Sequence, residues 1–151
     1  MTAPISSFRG PAESVSQHNT ALAIRVYYED TDAGGVVFYA NYLKFFERAR
    51  TEWLRTLGFN QSDMADRTGC IFVVRRLDMD YRHPARLDDM LTIHSRITKI
   101  GGASLHFAQS AYRDETLLAS GDITVCAVDA KRFRPIEIPS ELRSKLQATQ
   151  E

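Results

Sequence analysis

The feature that most restricts the fold of this chain is one amphipathic helix, followed by a long stretch of β-rich sequence. Apolar residues recur at steps of three and four, the spacing of a single helix face: Tyr42, Phe45, Phe46, Ala49, Trp53, Leu54 and Leu57. Gly58 follows the last of them and suits the left-handed residue that ends many helices. Strand-like sequence then continues to about residue 130. The helix must therefore cover one apolar face of a sheet.

Alternating apolar residues indicate five strands. Leu22, Ile24, Val26 and Tyr28 alternate with small or polar residues and predict a first strand before the helix. Turn sequences divide the later stretch into strands at 70–81, 90–100, 103–112 and 117–128. The short connections force antiparallel neighbours. The prediction is an α+β domain over residues 21–148, with a long central helix across a five-stranded antiparallel sheet.

Two shorter helices complete the prediction. Residues 60–69 are polar and predict a short second helix. Near the end of the chain, Pro139 precedes a helical stretch for which Ser140 is the expected N-cap. Residues 1–20 are expected to form a flexible extension, since they are polar and lack a long apolar run. They also lack the cationic start of a signal peptide, which predicts a cytoplasmic protein.

Charge and cysteine usage exclude several classes of partner. The chain has 19 basic and 19 acidic residues among 151, so no excess of charge favours a nucleic acid. No apolar run approaches the roughly 20 residues that a membrane-spanning helix needs. Cys70 and Cys126 lie in apolar strands, where buried reduced thiols are expected. Neither CxxC nor HxxxH spacing occurs, so no zinc or other metal is predicted.

The densest group of special residues lies between the first strand and the helix. It holds Glu29, Asp30 and Asp32, followed by Gly34 and Gly35. Three acids this close together fit a solvated turn and cap. The glycine pair also favours a second interpretation, because it lets the backbone approach a ligand just before a helix N-terminus. A carboxylate beside free amide groups suits acyl transfer, in which one group attacks or activates water and another holds the oxyanion.

This region resembles a known family. The runs VYYEDTDAGGVV at 26–37, FYANY at 38–42 and FERARTE at 46–52 are similar to the signature of hotdog-fold acyl-CoA thioesterases. Within them the sequence resembles most the YbgC type associated with the Tol-Pal envelope system, with the 4-hydroxybenzoyl-CoA thioesterases as near relatives. The resemblance implies a helix wrapped by a curved five-stranded sheet. It also implies a homodimer or homotetramer with active sites between subunits.

The resemblance carries catalytic roles onto individual residues. The family's catalytic aspartate falls on Asp32, which would act as nucleophile or as general base, and Asp30 becomes a loop-stabilising acid. The backbone amide of Tyr39 would face the thioester oxygen, in a helix that starts at this residue. From the apolar pattern alone, Asn41 is the expected N-cap. At position 39 YbgC-type members usually carry histidine, whereas this chain has Tyr39, and tyrosine is typical of the 4-hydroxybenzoyl-CoA branch. No cofactor is implied, since a thiolate is a good leaving group.

Substrate contacts are expected around this loop. Gly34, Gly35 and Val36 are the candidates nearest the thioester, and Tyr42 belongs either to the substrate site or to the core. The phosphates of CoA require cations at the mouth of the pocket, and the candidates are Arg82, Lys99 and Arg132. Each of them could equally be an ordinary solvated charge. Glu47 is a weaker alternative to Asp32, and His94 and His106 are expected to be structural.

Three functions remain in competition. The first is hydrolysis of an acyl-CoA or acyl-carrier-protein thioester, with the acyl group left open. The second is a hotdog dehydratase or hydratase, which needs a histidine and an acid together, whereas residues 26–42 contain no histidine. The third is a non-catalytic hotdog interaction module in envelope or lipid-synthesis assemblies.

Overall fold

The computed structural model describes residues 20–150, and it contains five strands and three α-helices. The predicted flexible extension lies outside the described residues, apart from residue 20. In chain order the elements are β1 (Thr20–Arg25), α1 (Asn41–Thr56), α2 (Gln61–Thr68), β2 (Cys70–Tyr81), β3 (Met90–Ile100), β4 (Ser104–Arg113), β5 (Thr116–Asp129) and α3 (Ser140–Ala148).

The five strands form one antiparallel sheet in the order β1-β3-β4-β5-β2. The predicted α+β fold and the antiparallel sheet are therefore confirmed. β3, β4 and β5 are joined by short turns and lie side by side, whereas β1 and β2 occupy the two edges. The twelve-residue β2 is the longer edge strand, and it pairs with β5 on one side only.

Helix α1 lies across one face of this sheet and buries the stripe that its sequence predicts. The indole of Trp53 meets the ring of Phe107 on β4 edge-on, with 5.6 Å between ring centroids. Gln109 on β4 is buried and donates its side-chain N–H to the carbonyl oxygen of Phe46 at 3.0 Å. Gly58 has φ of +91°, as its predicted role at the helix end requires. These contacts fix α1 against the sheet, and so fix the start of the helix.

The first strand ends earlier than its alternating pattern predicts. β1 stops at Arg25, and Tyr28–Asp30 form a 3-10 turn in which Tyr28 is 82% exposed. The carboxylate of Asp30 accepts a hydrogen bond from the N–H of Tyr27 at 2.9 Å. This bond satisfies the amide locally, and the chain turns away from the sheet.

Two predicted helix caps are wrong by one residue. Asn41 is the first residue of α1, and Ala40 is its N-cap, because the Asn41 side chain donates to the backbone and carboxylate of Asp30 instead. The start at Tyr39 implied by the resemblance is two residues too early. Likewise Ser140 is the first residue of α3, and Pro139 is its N-cap.

Both cysteines are buried and free, as expected. Burial raises the pKa of the Cys70 thiol to about 11, so this thiol stays protonated near neutral pH. In the part of the chain that the structure describes, no helix is long and apolar enough to cross a membrane.

Candidate active site

The loop between β1 and α1 is a tight turn centred on Asp32. The backbone N–H of Asp32 donates to the carbonyl of Val36 at 2.8 Å, and its own carbonyl accepts from the N–H of Gly35 at 3.0 Å. Gly35 has φ of +81°, a conformation that residues with a side chain adopt at a cost. The two glycines therefore close a turn that holds Asp32 at its base.

The carboxylate of Asp32 is oriented by one of its two oxygens. Oδ1 accepts hydrogen bonds from the N–H of Gly34 at 2.8 Å and of Val36 at 3.4 Å. The side chain is exposed, and Oδ2 has no hydrogen-bond donor among residues 20–150. A Cβ added at Gly34 would stand 3.3 Å from Oδ1 and crowd this contact. The turn thus leaves Oδ2 accessible to substrate or water.

Asp30 has a different environment from Asp32. It is buried, its Oδ2 accepts from the N–H of Tyr27, and its Oδ1 lies 3.3 Å from the side-chain amide nitrogen of Asn41. Its carbonyl oxygen accepts from the N–H of Phe38 at 3.0 Å. Asp30 therefore joins the end of β1 to the start of α1. These contacts are of the loop-stabilising kind that the family resemblance implies for Asp30.

The amides just before α1 are open. The first three N–H groups of the helix donate to carbonyls three residues back, those of Phe38, Tyr39 and Ala40. The N–H of Tyr39 and the N–H of Ala40 have no acceptor among residues 20–150. Free amides beside a helix N-terminus favour a negatively charged oxygen. This position therefore suits the oxyanion of a tetrahedral intermediate.

Three tyrosines support this position. Tyr81, at the end of β2, donates its hydroxyl to the carbonyl of Tyr39 at 3.1 Å. The Tyr81 ring also contacts the rings of Tyr39 and Tyr42, with centroids at 6.1 Å and 5.6 Å. Tyr42 is only 3% exposed, and burial raises the pKa of its phenol. Tyr42 therefore belongs to the core beneath the loop, which was one of the two alternatives left open by the sequence.

The other substrate candidates lie on the turn itself. Gly34 and Gly35 are exposed, and Val36 is half-buried in a β-bridge to Arg86. The N–H of Val37 donates to the carbonyl of Ala85 at 2.8 Å. These contacts attach the turn to the segment that joins β2 to β3.

The three proposed phosphate-binding cations lie at opposite ends of the sheet. Arg82 follows β2 at the Asp32 end, where its Nε is 2.8 Å from a carboxylate oxygen of Asp80 on the surface. Lys99 lies near the end of β3, and Arg132 follows β5, both at the other end. Within one protomer, only Arg82 is therefore at the end of the sheet that holds Asp32.

A groove of about 350 Å³ runs between α1 and the edge strand β2. Its walls are mostly apolar, with Glu47 and Arg50 among the polar groups, and its apolar lining includes Leu43, Phe46, Phe72, Val74, Leu77 and Phe107. Neither this groove nor the contact of Tyr81 with Tyr39 was predicted from the sequence. The only sequence feature that pointed to them is that apolar residues occur on both faces of β2, which is an edge strand of the sheet.

The two strand histidines lie outside this loop. His94 is buried with its ring edge-on to Tyr112, and burial lowers the pKa of His94 to about 4. His106 has its Nδ1 at 3.1 Å from the hydroxyl of Thr124 on the neighbouring strand. Among residues 20–150, no group of three histidine, cysteine or acidic side chains is placed to hold a metal ion.

Comparison with known proteins identifies the family. The sequence profile of the thioesterase superfamily matches residues 34–120, which include α1 and most of the sheet. The chain belongs to the thioesterase superfamily. The matched segment begins two residues after Asp32, so the match defines the family of the fold and leaves the role of Asp32 to experiment.

Several relatives within the thioesterase superfamily are similar over nearly their whole length. The acyl-CoA thioester hydrolase YbgC of Escherichia coli O6:H1 is 49% identical over 129 residues, which are 82% of this chain and 95% of the relative. The acyl-CoA thioesterase YbgC of Haemophilus influenzae is 44% identical over 124 residues, 82% of this chain and 91% of the relative. The crystal structure of a probable thioesterase from Bartonella henselae superposes with a TM-score of 0.76 at 35% identity, covering 80% and 99% of the two chains.

Proposed function

We propose that this protein hydrolyses acyl-CoA thioesters to a free acid and CoA, with Asp32 as nucleophile or general base. One observation carries the proposal: Asp32 is held through Oδ1, its Oδ2 is open, and the N–H of Tyr39, just before α1, has no acceptor among residues 20–150. Acyl transfer requires this pair of a carboxylate and an oxyanion donor. The similarity to proteins named acyl-CoA thioesterases supports the choice of substrate.

Two routes are consistent with this arrangement. In the first, Oδ2 of Asp32 attacks the thioester carbonyl carbon, the C–S bond breaks, and its electron pair leaves on sulfur as the CoA thiolate. Water then hydrolyses the acyl-aspartyl anhydride. In the second, Asp32 takes a proton from water while the water oxygen attacks the same carbon, and the thiolate leaves. In both, the N–H of Tyr39 donates to the oxyanion. A pre-steady-state burst of thiol ahead of acid release indicates the covalent route.

We further propose a homodimer or homotetramer in which two β2 strands pair edge to edge. β2 has one unpaired edge within residues 20–150, and Val73, Val74 and Leu77 are exposed on it. An apolar edge strand of this length would otherwise be prone to uncontrolled association. Antiparallel pairing about a twofold axis would protect the edge and cover the groove beside α1.

The acyl group is proposed to occupy this groove. The groove begins at the first turn of α1, and its apolar walls favour an aliphatic or aromatic acyl group. A panel of short, long and aromatic acyl-CoA thioesters, with matched acyl-carrier-protein thioesters, tests class and preference together through thiol release. Absence of thiol release across the whole panel would contradict hydrolase activity and favour the non-catalytic interaction module. A cytoplasmic location and a link to the Tol-Pal system remain predictions, which cell fractionation and co-purification test.

A further inference from the structure

Arg50 is a buried cation on helix α1 that lacks an anionic partner within its own protomer. Only 9% of its surface is exposed, and burial lowers the pKa of its guanidinium. No carboxylate among residues 20–150 lies within ion-pair distance of it. Removing an unpaired charge from water is costly. A compensating anion is therefore expected from outside this part of the chain.

A polar network fixes the Arg50 guanidinium in the wall of the groove between α1 and β2. Its Nη1 donates to Oε1 of Gln109 on β4 at 2.9 Å. The Gln109 amide donates in turn to Oγ of Ser95 at 2.9 Å and to the carbonyl of Phe46 at 3.0 Å. Nε and Nη2 of Arg50 have no acceptor among residues 20–150, and both nitrogens are accessible. Because Arg50 lines the groove, these donors are held ready for a partner that enters it.

Glu47 supplies the opposite charge on the same wall. It is exposed, lines the groove one turn before Arg50, and forms no ion pair within residues 20–150. Residues three apart share one face of a helix. The part of α1 that lines the groove runs from Leu43 to Leu54, and Glu47 and Arg50 lie at equal distances on either side of its midpoint. Lys44, the third charge on this wall, lies about one turn farther from the midpoint.

Twofold symmetry makes this arrangement self-complementary. Antiparallel pairing of two β2 strands in one continuous sheet requires a twofold axis perpendicular to the sheet. That axis keeps both α1 helices on the same face and makes them run in opposite directions. With the axis opposite the midpoint of the groove wall, Arg50 faces Glu47 of the partner subunit. The apolar residues of β2 in the same groove, Phe72, Val74 and Leu77, would exclude water from this contact and strengthen it.

We propose that Arg50 forms an ion pair with Glu47 of the partner subunit, and that two such pairs join the α1 helices across the homodimer interface. This inference rests on the homodimer included in the proposed function. A carboxylate on the acyl group would satisfy Arg50 alone, whereas a second copy of this chain satisfies both Arg50 and Glu47. The pairs would lie roughly 9 to 14 Å along α1 from Asn41, so the first two turns of the groove stay open to the acyl group.

The first test uses charge reversal in two differently tagged chains. Glu47→Arg places cations opposite each other in its homodimer, and Arg50→Glu places anions there, so each variant alone should have a dimer dissociation constant roughly 10²-fold or more above wild type. Mixing the two variants restores opposite charges at both contacts, and heterodimers should therefore form preferentially. Sedimentation and capture through one tag measure this preference. A mixture that associates no better than the separate variants would overturn the proposal.

A double-mutant cycle avoids reversing the buried charge. Dissociation constants are measured for Glu47→Gln, Arg50→Gln and the double variant, and circular dichroism with a melting curve verifies that each folds. Each single variant should raise the constant roughly tenfold or more, and the double variant little further, because the second change removes a charge whose partner is already gone. Glu52→Gln, which alters an exposed acid of α1 paired with Arg55, is the matched control and should leave the constant unchanged. Additive effects in the double variant would contradict the ion pair.

The measurements separate this inference from the proposed hydrolysis. Association is measured without substrate, so the dissociation constants decide the ion pair even if wild type releases no thiol. A wild type that stays monomeric would overturn the homodimer and the ion pair together. Loss of turnover in Glu47→Gln with an unchanged dissociation constant would also overturn the ion pair, and it would favour the catalytic alternative for Glu47.

Discussion

The hydroxyl of Tyr81 donates a hydrogen bond to the main-chain carbonyl of Tyr39, at 3.1 Å between the two oxygens. These residues are 42 positions apart in sequence. The bond ties the end of the edge strand β2 to the residue whose N–H is the proposed oxyanion donor. It also polarises the peptide that contains the free N–H of Ala40.

Tyr81→Phe should therefore slow turnover more than it weakens binding. The variant keeps the ring contacts with Tyr39 and Tyr42 but loses one hydrogen bond, worth about 1 kcal/mol, so kcat should fall roughly 3- to 10-fold with little change in KM. Tyr28→Phe removes a hydroxyl from an exposed ring and serves as the control. A rise in KM at constant kcat would indicate a substrate contact rather than a positioning role.

Asp32→Asn should lose roughly 10²-fold or more in kcat, because it keeps the size of the side chain but removes the charge that attacks or activates water. The Oδ1 contacts to the turn are available to an amide oxygen, so melting temperature and oligomeric state should be retained. Asp30→Asn should do the reverse and lower the melting temperature, since Asp30 is buried and holds Tyr27 and Asn41. Near-normal turnover in Asp32→Asn would refute both routes.

Substitutions at Tyr39 distinguish a role of its backbone N–H from a role of its side chain. The Tyr39 ring is largely exposed, so Tyr39→Phe and Tyr39→His should remain active, with a change in acyl preference as the permitted effect. Tyr39→Pro removes the N–H and should lose an oxyanion donor worth roughly 2.7 to 4 kcal/mol. Proline also restrains the preceding residue, so circular dichroism and a melting curve must show that this variant folds. Loss of turnover in Tyr39→Phe with binding intact would instead make the phenol catalytic.

Activity should require the oligomer. Leu77→Lys places a charge on the exposed face of the edge strand beside the groove, and it should yield inactive monomers in sedimentation experiments. Leu77→Ile keeps the edge apolar and should behave as wild type. A dilution series of wild type, assayed at each concentration, gives an independent measurement. Full specific activity in a monomeric fraction would contradict the shared site.

The buried His94 should make the protein less stable in mild acid. Burial lowers the pKa of His94 from 6.5 to about 4 in the folded chain. Above pH 6.5 the ring is neutral in both the folded and the unfolded chain, and the full free energy of unfolding is present. As pH falls from 6.5 towards 4, the unfolded chain binds a proton that the folded chain excludes, so the free energy of unfolding decreases. Urea titrations should show a loss on the order of 1 to 2 kcal/mol between about pH 7 and about pH 5. The His94→Phe variant should lose less free energy of unfolding than wild type over the same pH range. Equal losses in the two proteins would show that His94 is not the cause.

Local patterns were sufficient for most of the secondary structure. The limits of β2 and β3 agree with prediction because alternation and turn residues act over a few positions. The left-handed Gly58 and the buried stripe of α1 agree for the same reason. The prediction for Asp32 came from the resemblance of its surrounding motif, since acids in a turn are equally compatible with a cap.

The set of helices and strands and the short motif around Asp32 could be predicted from sequence, because backbone conformation there depends on near neighbours. Tertiary structure alone decided that the Asn41 side chain binds Asp30 instead of capping α1, and that Tyr81 meets Tyr39. It also decided that Lys99 and Arg132 lie at the opposite end of the sheet from Asp32. These outcomes depend on strand order and on contacts between residues distant in sequence, where several polar partners compete and only the packed sheet selects among them.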